Sequence, residues 1–550
     1  MNNLEYSINN VNNIENNLEF IENITRNNLD NFKELLNEFS IYSLRELLIK
    51  IKFSKNFFQK FSLFFIDLIK KYFFYQYLHN PINISSYIFI NIGFTIKEII
   101  NNIIESYYKQ ETYFYEIYFK FLEIRNYLKE NKINFIISNS ISRFTLNINE
   151  ITFIIHYLFS DFNKFIKNFA LNLNLKIYKL EKYKIIDDDY LIKIYFYNIK
   201  VPVIFIFSKD IFNILIYDLY FTYKDTINEI DFFENTIKIY NYNSLKDFII
   251  YFSKLDKYNN LKKEISLCKN INEIYNLFYS YFNLNYIPSE LSDYPQIIKI
   301  AKNNDFNDLV KLEDIKGDLH IHTNLSDGLN SINEIINFVK TNKTNYNYIG
   351  ITDHVNYLNL NQLKDLKEYI KNNINSDKFK VLLGIEENID ENGLLYSQKL
   401  DNYLEVLNNI DFINASIHSH FNLKEDQQYN RLSKIAENNN PKILTISHLT
   451  TRVLNIRNPI SLSTDKIIEI INKLNKNNKY IEINCHLDRL DVDYNILREY
   501  YLKYKIKPNV VISTDAHNIN HLDYIEFGVK IARKSLISKK NVLNTKENIL

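Results

Sequence analysis

His320 and His322 stand two residues apart in the run GDLHIHTNLSDG, and Asp327 follows within it. In an extended chain residues i and i+2 point to one face, so two imidazoles at that spacing can grip one ion. Gly328 permits a tight turn directly after Asp327. The same i, i+2 arrangement returns as Asp515-x-His517 in STDAH. Between the two, four more ligand-type residues close apolar runs: His354 in YIGITDH, Glu386 in VLLGIE, His418 in FINASIH and His448 in ILTISH. A lone strand-end histidine is more often a hydrogen-bonded core or surface residue; the series is what points to a metal site. Mixed imidazole and carboxylate donors suit zinc, manganese or iron better than magnesium or calcium. These nine donors exceed the needs of one ion, so two or three divalent ions are expected. Clustered ions are a common device for phosphate-ester hydrolysis: one lowers the pKa of a bound water, and the others offset charge on the phosphate and the leaving oxygen.

Several neighbours could contribute. His420 would share a face with His418 in an extended strand and is the reserve ligand. Glu387 points away from the ligand face, and His486 and His521 read as loop residues. Asp318 and Asp353 could orient ligating imidazoles. Arg452 and Arg489 follow the fifth and sixth runs and could clamp phosphate, with ordinary salt bridges as the competing reading.

These residues need elements that bring them together. Seven apolar runs carry the set: Gly317–His322, Tyr348–His354, Val381–Glu386, Phe412–His418, Ile443–His448, Tyr480–Cys485 and Asn509–His517. Helical-looking stretches separate them. That alternation describes a ring of parallel strands whose C-terminal ends meet at one pocket, where β/α barrels keep their chemistry.

The rest of the chain differs in character. At 550 residues it is too long for one ordinary core, so at least two domains are expected. A formal charge of +1 gives no overall basic field to announce a nucleic-acid partner. Cys268 and Cys485 cannot build a disulfide framework, and the N-terminus MNNLEYSINNVNN is too polar for a signal peptide. Both suit a cytoplasmic protein. Residues 72–96 carry no charge, but Gln76, His79, Asn80, Pro81 and several Asn and Ser interrupt them, so a soluble core helix or loop is expected there. Of 7 glycines only Gly93 precedes Gly317, and of 11 histidines only His79 and His156 precede His320. A boundary near residues 304–317 follows. Upstream, residues 1–125 show helical spacing, as in FKELLNEFSIYSLRELLIKIKF. From about residue 132 the runs turn β-rich (INFIIS, ITFIIHYLF, YLIKIYFYNI, VPVIFIF), and a helical stretch near 244–282 follows.

In the order HxH, SDG, TDH, GIE, ASIH, SH, STDAH, residues 315–550 resemble the PHP (polymerase and histidinol phosphatase) domain, and all nine ligand positions match. The resemblance implies an α/β fold, a distorted seven-stranded β/α barrel with a trinuclear metal site. Three stretches, YIPSELSDYPQIIKIAKNNDFNDLVKLEDIKGDLHIHT, IEINCHLDRLD and EFGVKIARKSLISKKNVLNT, narrow it to bacterial family X DNA polymerases. There a polymerase core precedes the PHP domain. The implied organisation is multidomain: 1–125 a helical region with degenerate helix-hairpin-helix and fingers, 126–304 an α+β nucleotidyltransferase-like palm and thumb, 305–316 a linker, and 317–550 the PHP domain. The implied activity is manganese-dependent 3′–5′ exonuclease and 3′-end processing in DNA repair, including at abasic sites, with zinc or iron as other metals. Glu386, Asp515 and His517 would act in catalysis as well as in metal binding. The implied partner is DNA with 3′ ends, gapped or nicked, with no membrane and no protein partner named.

The polymerase part departs from the pattern. The nucleotide-binding turn, roughly Gly-Ser-x-Arg-Arg before an Asp-x-Asp pair, appears as Asn139-Ser140-Ile141-Ser142-Arg143, then Glu150-Ile151-Thr152. The third catalytic Asp falls on Pro202, and YFTGSK becomes Tyr220-Phe221-Thr222-Tyr223-Lys224. Nucleotidyl transfer needs carboxylates to hold two ions about 3.5–4 Å apart, and Thr152 and Pro202 supply none. Polymerase activity is therefore expected to be lost, although Asp161, Asp187, Asp188 and Asp189 lie close enough in sequence to serve if the alignment slips. The alternatives are a still-active bifunctional polymerase, a histidinol-phosphatase-like small-molecule phosphatase, and a non-enzymatic DNA-binding scaffold.

Overall fold

The computed structural model describes residues 112–138, 140–156, 162–185, 188–196, 199–223, 230–233, 237–239, 258–268, 270–294, 297–376 and 378–549. The stretch 72–96, Asn139, Asp161, Asp187, Lys224 and most of the expected helical region 1–125 lie outside them. The described residues fall into two compact units.

The first unit is built on a mixed sheet. Helix α1 (Phe114–Glu130) buries Phe114, Ile117, Tyr118, Phe121, Ile124 and Leu128, a stripe at three- and four-residue spacing. Five strands follow: β1 (Phe135–Ser138), β2 (Ile151–His156), β3 (Ile177–Lys184), β4 (Tyr190–Phe196) and β5 (Val203–Ser208), in the sheet order β1-β2-β5-β4-β3. β5 lies between β2 and β4 and is buried along its whole length, which is why it reads as an unbroken apolar run. Helices α2 (Phe162–Asn172) and α3 (Ile211–Tyr223) complete the α+β pattern expected from residue 132 onward.

A two-stranded ribbon, β6 (Ile230–Phe233) with β7 (Ile237–Ile239), and helices α4 (Tyr258–Ile265) and α5 (Ile271–Ser280) precede the second sheet. That sheet has seven strands in sequence order: β8 (Gly317–Ile321), β9 (Tyr348–Ile351), β10 (Lys380–Asn388), β11 (Phe412–Ser416), β12 (Ile443–Ile446), β13 (Tyr480–Asn484) and β14 (Val510–Ser513). Neighbours pair in parallel throughout. Ala516, past the end of β14, bonds back to β8: its carbonyl accepts from His322 N at 2.9 Å, and its N–H donates to His320 O at 3.1 Å. These bonds bring the sheet nearly to closure as a barrel. Seven helices alternate with the strands: α6 (Ile332–Asn342), α7 (Leu360–Tyr369), α8 (Tyr403–Asn409), α9 (Glu425–Ala436), α10 (Thr464–Lys476), α11 (Tyr494–Tyr504) and α12 (Ile525–Lys534). Ser331 caps α6 reciprocally with Glu334. Phe412 fills space left by two glycines: a Cβ on Gly350 or Gly384 would meet its ring at 2.7 or 2.5 Å.

Residues 259–316 belong to the barrel's compact unit, so the contact boundary lies earlier than the change in composition near 304–317. Buried charge pairs hold this segment: Asp293 meets Lys534 at 2.5 Å and Arg498 at 3.0 Å. Composition does not register such pairs.

Candidate metal centre

Every member of the nine lies at or just beyond the C-terminal end of a barrel strand. His320 is in β8 and Glu386 in β10; the other seven follow the strands. Except in β10, which runs on to Asn388, the ladders stop sooner than the apolar runs do. β11 ends at Ser416, β12 at Ile446 and β14 at Ser513, leaving His418, His448 and Asp515 in the loops. His448 and Asp515 have left-handed backbone, with φ of 29° and 53°. That conformation ends extended structure, and for non-glycine residues it clusters at functional sites. Gly328 fits its turn because a Cβ there would lie 2.4 Å from the His322 carbonyl oxygen.

The side chains converge in three linked groups: His320, His322, Glu386 and Asp515; His322, Asp327, His354 and His517; and His354, Glu386 and His418. The first group is buried, while Asp327, His354, His418 and His517 reach the surface. Nitrogen–oxygen distances within the groups cluster between 3.1 and 3.5 Å, from 3.1 Å for His418–Glu386 to 3.5 Å for His322–Asp327. Two donors each about 2.1 Å from a shared ion at a tetrahedral angle lie about 3.4 Å apart. The spacing is thus that of co-ligands rather than of hydrogen-bonded pairs. In agreement, Nε2 of His320 and both ring nitrogens of His322 are buried without a hydrogen-bond partner. Manganese, zinc or iron fits this donor set, and His322, His354 and Glu386, each shared by two groups, suit more than one ion. His448 lies 2.8 Å from Glu386 but stands outside the three groups.

The electrostatics agree. Burial opposes charge on His320, yet Glu482, Asp515 and Glu386 outweigh it and hold its pKa well above the ordinary histidine value. Burial would raise the carboxyls of Glu386 and Asp515, but the surrounding imidazoles, and Arg489 for Asp515, hold both well below the usual range. His517 rises to about 9 because Asp327 and Asp515 overcome its burial. Ionised carboxylates at this depth favour positive charge beside them, and a divalent cation can supply it in place of imidazole protons.

Sequence reasoning missed Glu482. This buried carboxylate in β13 accepts from His320 Nδ1 at 2.6 Å and from His448 N at 2.7 Å. It fixes the His320 tautomer and leaves Nε2 facing the pocket. Its signal was a charge in the middle of the apolar run YIEINC. Asp318 and Asp353, expected to orient imidazoles, do other work. Asp318 takes Thr514 Oγ1 at 2.5 Å and Thr514 N at 3.2 Å, tying β8 to the end of β14. Asp353 takes Thr323 N and Oγ1, both at 2.7 Å, and Ser326 Oγ at 2.5 Å, fixing the loop that carries Asp327. His420 is about half exposed, has φ of 55° and pairs with Glu391 at 3.3 Å, because the strand that would have aligned it with His418 has already ended. Glu387 faces away, accepting from Ser397 N and Oγ. His486 and His521 bond to each other at 3.3 Å beside the His517 backbone, outside the three groups.

The two arginines part company. Arg452 donates to the carbonyls of Arg489 and Leu490 and pairs with Asp493 at 3.1 Å. Arg489 lies 3.4 Å from Asp515, with Nη1 buried and unpartnered.

Residues 318–486 match the PHP domain family. The C-terminal unit carries a PHP domain. The DNA polymerase/3′-5′ exonuclease PolX of Bacillus subtilis (strain 168) is 36% identical over 278 residues, which is 49% of this chain and 45% of that protein. The match thus spans less than half the length of the curated relative. The crystal structure of histidinol phosphate phosphatase from Lactococcus lactis, complexed with zinc, L-histidinol and phosphate, is 18% identical, covering 40% of this chain and 93% of that chain with a TM-score of 0.29.

In the first unit β2 and β5 run parallel, with Ile151 opposite Val203 and Thr152 opposite Ile204. Glu150, Thr152 and Pro202 therefore share one end of the sheet. Asp188 and Asp189 sit at the other end, where Asp189 takes bonds from Ser208, Asn213 and Tyr217. A six-residue strand, about 20 Å, separates the ends, so neither aspartate lies beside Glu150, Thr152 and Pro202. Ser140 opens a short helix, Ser140–Arg143; buried Arg143 and Thr222 both belong to the second unit, where Arg143 donates to Thr222 O at 3.0 Å. Among the described residues, the three metal-ligand groups all lie in the barrel. No described helix is long and apolar enough to cross a membrane.

Proposed function

We propose that the PHP domain hydrolyses phosphodiesters at DNA 3′ ends, as a 3′–5′ exonuclease or end-processing enzyme, and that template-directed polymerase activity has been lost. The observation that carries the reading is the convergence of eight of the nine expected residues into three ligand groups that share members. The likeness to PolX supports DNA as the substrate class.

Bound divalent ions, manganese first and zinc or iron otherwise, would activate water and offset phosphate charge. The protein's own residues supply the rest. Glu482 holds the proton of His320 on Nδ1, so Nε2 enters the pocket as a lone-pair donor. Glu386, Asp515 and His517 hold the negative and positive edges of the reaction space. Arg489 presents buried Nη1 to a non-bridging phosphate oxygen. Arg452 braces the Arg489 carbonyl and so acts as a positioning residue rather than a phosphate clamp. In the first unit neither Thr152 nor Pro202 adds a carboxylate beside Glu150, which supports the loss of nucleotidyl transfer there.

The test is digestion of end-labelled DNA with and without manganese, comparing wild type with His320→Ala/His322→Ala. Manganese-dependent shortening by wild type alone is expected; equal digestion by both proteins refutes the reading. Primer extension in magnesium or manganese is expected to give no product above background, and templated synthesis would overturn the loss of polymerase activity.

A further inference from the structure

We propose that Tyr357 is the platform on which the base of the 3′-terminal nucleotide stacks while its phosphate lies in the pocket; this rests on the phosphodiesterase reading above. Tyr357 ends the short helix Val355–Tyr357, which follows His354 directly. Its ring centroid lies 6.0 Å from that of His354, with the planes inclined at 39°. His354 spans Asp327 and Glu386 at 3.3 and 3.2 Å, so the tyrosine stands at the lip of the centre.

Two facts separate Tyr357 from the other tyrosines among the described residues. It abuts a residue of two ligand groups, and it is 57% exposed there rather than packed into the wall. An open aromatic face beside a phosphoryl pocket has a natural occupant. A nucleotide whose phosphate enters the pocket carries its base one sugar away, and every base has a π-face to offer. Stacking therefore holds the end of a strand without reading its sequence. An enzyme that removes successive nucleotides needs that tolerance. The exposed large hydrophobic residues on the loop bearing Asp327, Leu325 and Leu329, are aliphatic and offer no ring.

The experiment uses the full chain with manganese and two labelled strands identical except at the 3′-terminal nucleotide, thymine-bearing in one and abasic in the other. Tyr357→Phe is expected to match wild type on both. Tyr357→Ala is expected to raise KM about tenfold or more on the base-bearing end. Its kcat, its bound manganese and its KM for the abasic end are expected to stay at wild-type values. An equal loss on both ends, or a fall in kcat with bound manganese, would show that Tyr357 merely supports His354 and overturn the proposal alone. If wild type cuts neither strand, the phosphodiesterase reading itself fails and this inference falls with it.

Discussion

Glu482→Gln isolates the carboxylate that organises the centre without touching any of the nine expected ligands. The two side chains have the same shape, but glutamine keeps one acceptor oxygen where glutamate has two. Glu482 now serves two buried donors on different oxygens: His320 Nδ1 on Oε1 at 2.6 Å and His448 N on Oε2 at 2.7 Å. Asn484 Nδ2 adds a third contact at 3.1 Å and links the carboxylate to Asp515. In the variant either His320 or the His448 backbone faces an amide nitrogen that cannot accept. Carboxylates behind a ligating histidine typically contribute 10- to 100-fold to metal affinity. That range corresponds to about 1.4–2.8 kcal/mol. Calorimetric titration of metal-stripped protein with manganese should show the loss at the tightest site, with activity returning toward wild type when manganese is raised. Unchanged affinity in a folded variant would refute the assignment of Glu482 as the group that sets His320.

Three further outcomes follow from the packing. Gly384→Ala drives a methyl into the Phe412 ring, where a Cβ would lie 2.5 Å away, and should cost about 1–3 kcal/mol, read as a lower denaturation midpoint. Burial pushes Lys534 down to about 8, against the opposing pull of Asp293. The unfolded lysine, near 10.4, binds the proton more tightly, so this group's contribution to stability rises between about pH 8 and 10. Lys534→Met should therefore remove part of the stability gain that denaturant titrations of wild type show across that window. His420→Ala should leave manganese affinity and digestion within about twofold of wild type, since a half-exposed side chain paired with Glu391 adds little.

Eight of the nine expected residues converge, and spacing points to them because alternation in a strand and position at its end are one-dimensional signals. His320 and His322 needed only the two-residue period; Asp515 and His517 repeat it in the sequence, although β14 has ended at Ser513 and Asp515 has left-handed backbone. The residues that sequence reasoning misjudged depend on where the chain turns. An extended strand through residue 420 would align His420 with His418, but the ladder ends at Ser416. Arg452 lies on the expected face, yet no local pattern foretells that its guanidinium meets the carbonyls of residues 489 and 490. Glu482 is visible as a charge inside an apolar strand, but it lies within the run rather than at its end, where the other ligand types stand. Tyr357 was hidden by composition, as one of 43 tyrosines. In the first unit the residue types at positions 150, 152 and 202 are legible in the sequence, while the parallel pairing of β2 with β5 is what sets Glu150, Thr152 and Pro202 at one end of the sheet.

The most direct test of the multi-ion centre is to count ions where they bind. Crystals of the full chain grown with manganese should give two or three anomalous peaks, each touched by members of the groups around His322, His354 and Glu386. A single peak, none, or peaks only at the Glu150–Pro202 end of the first sheet would contradict the account.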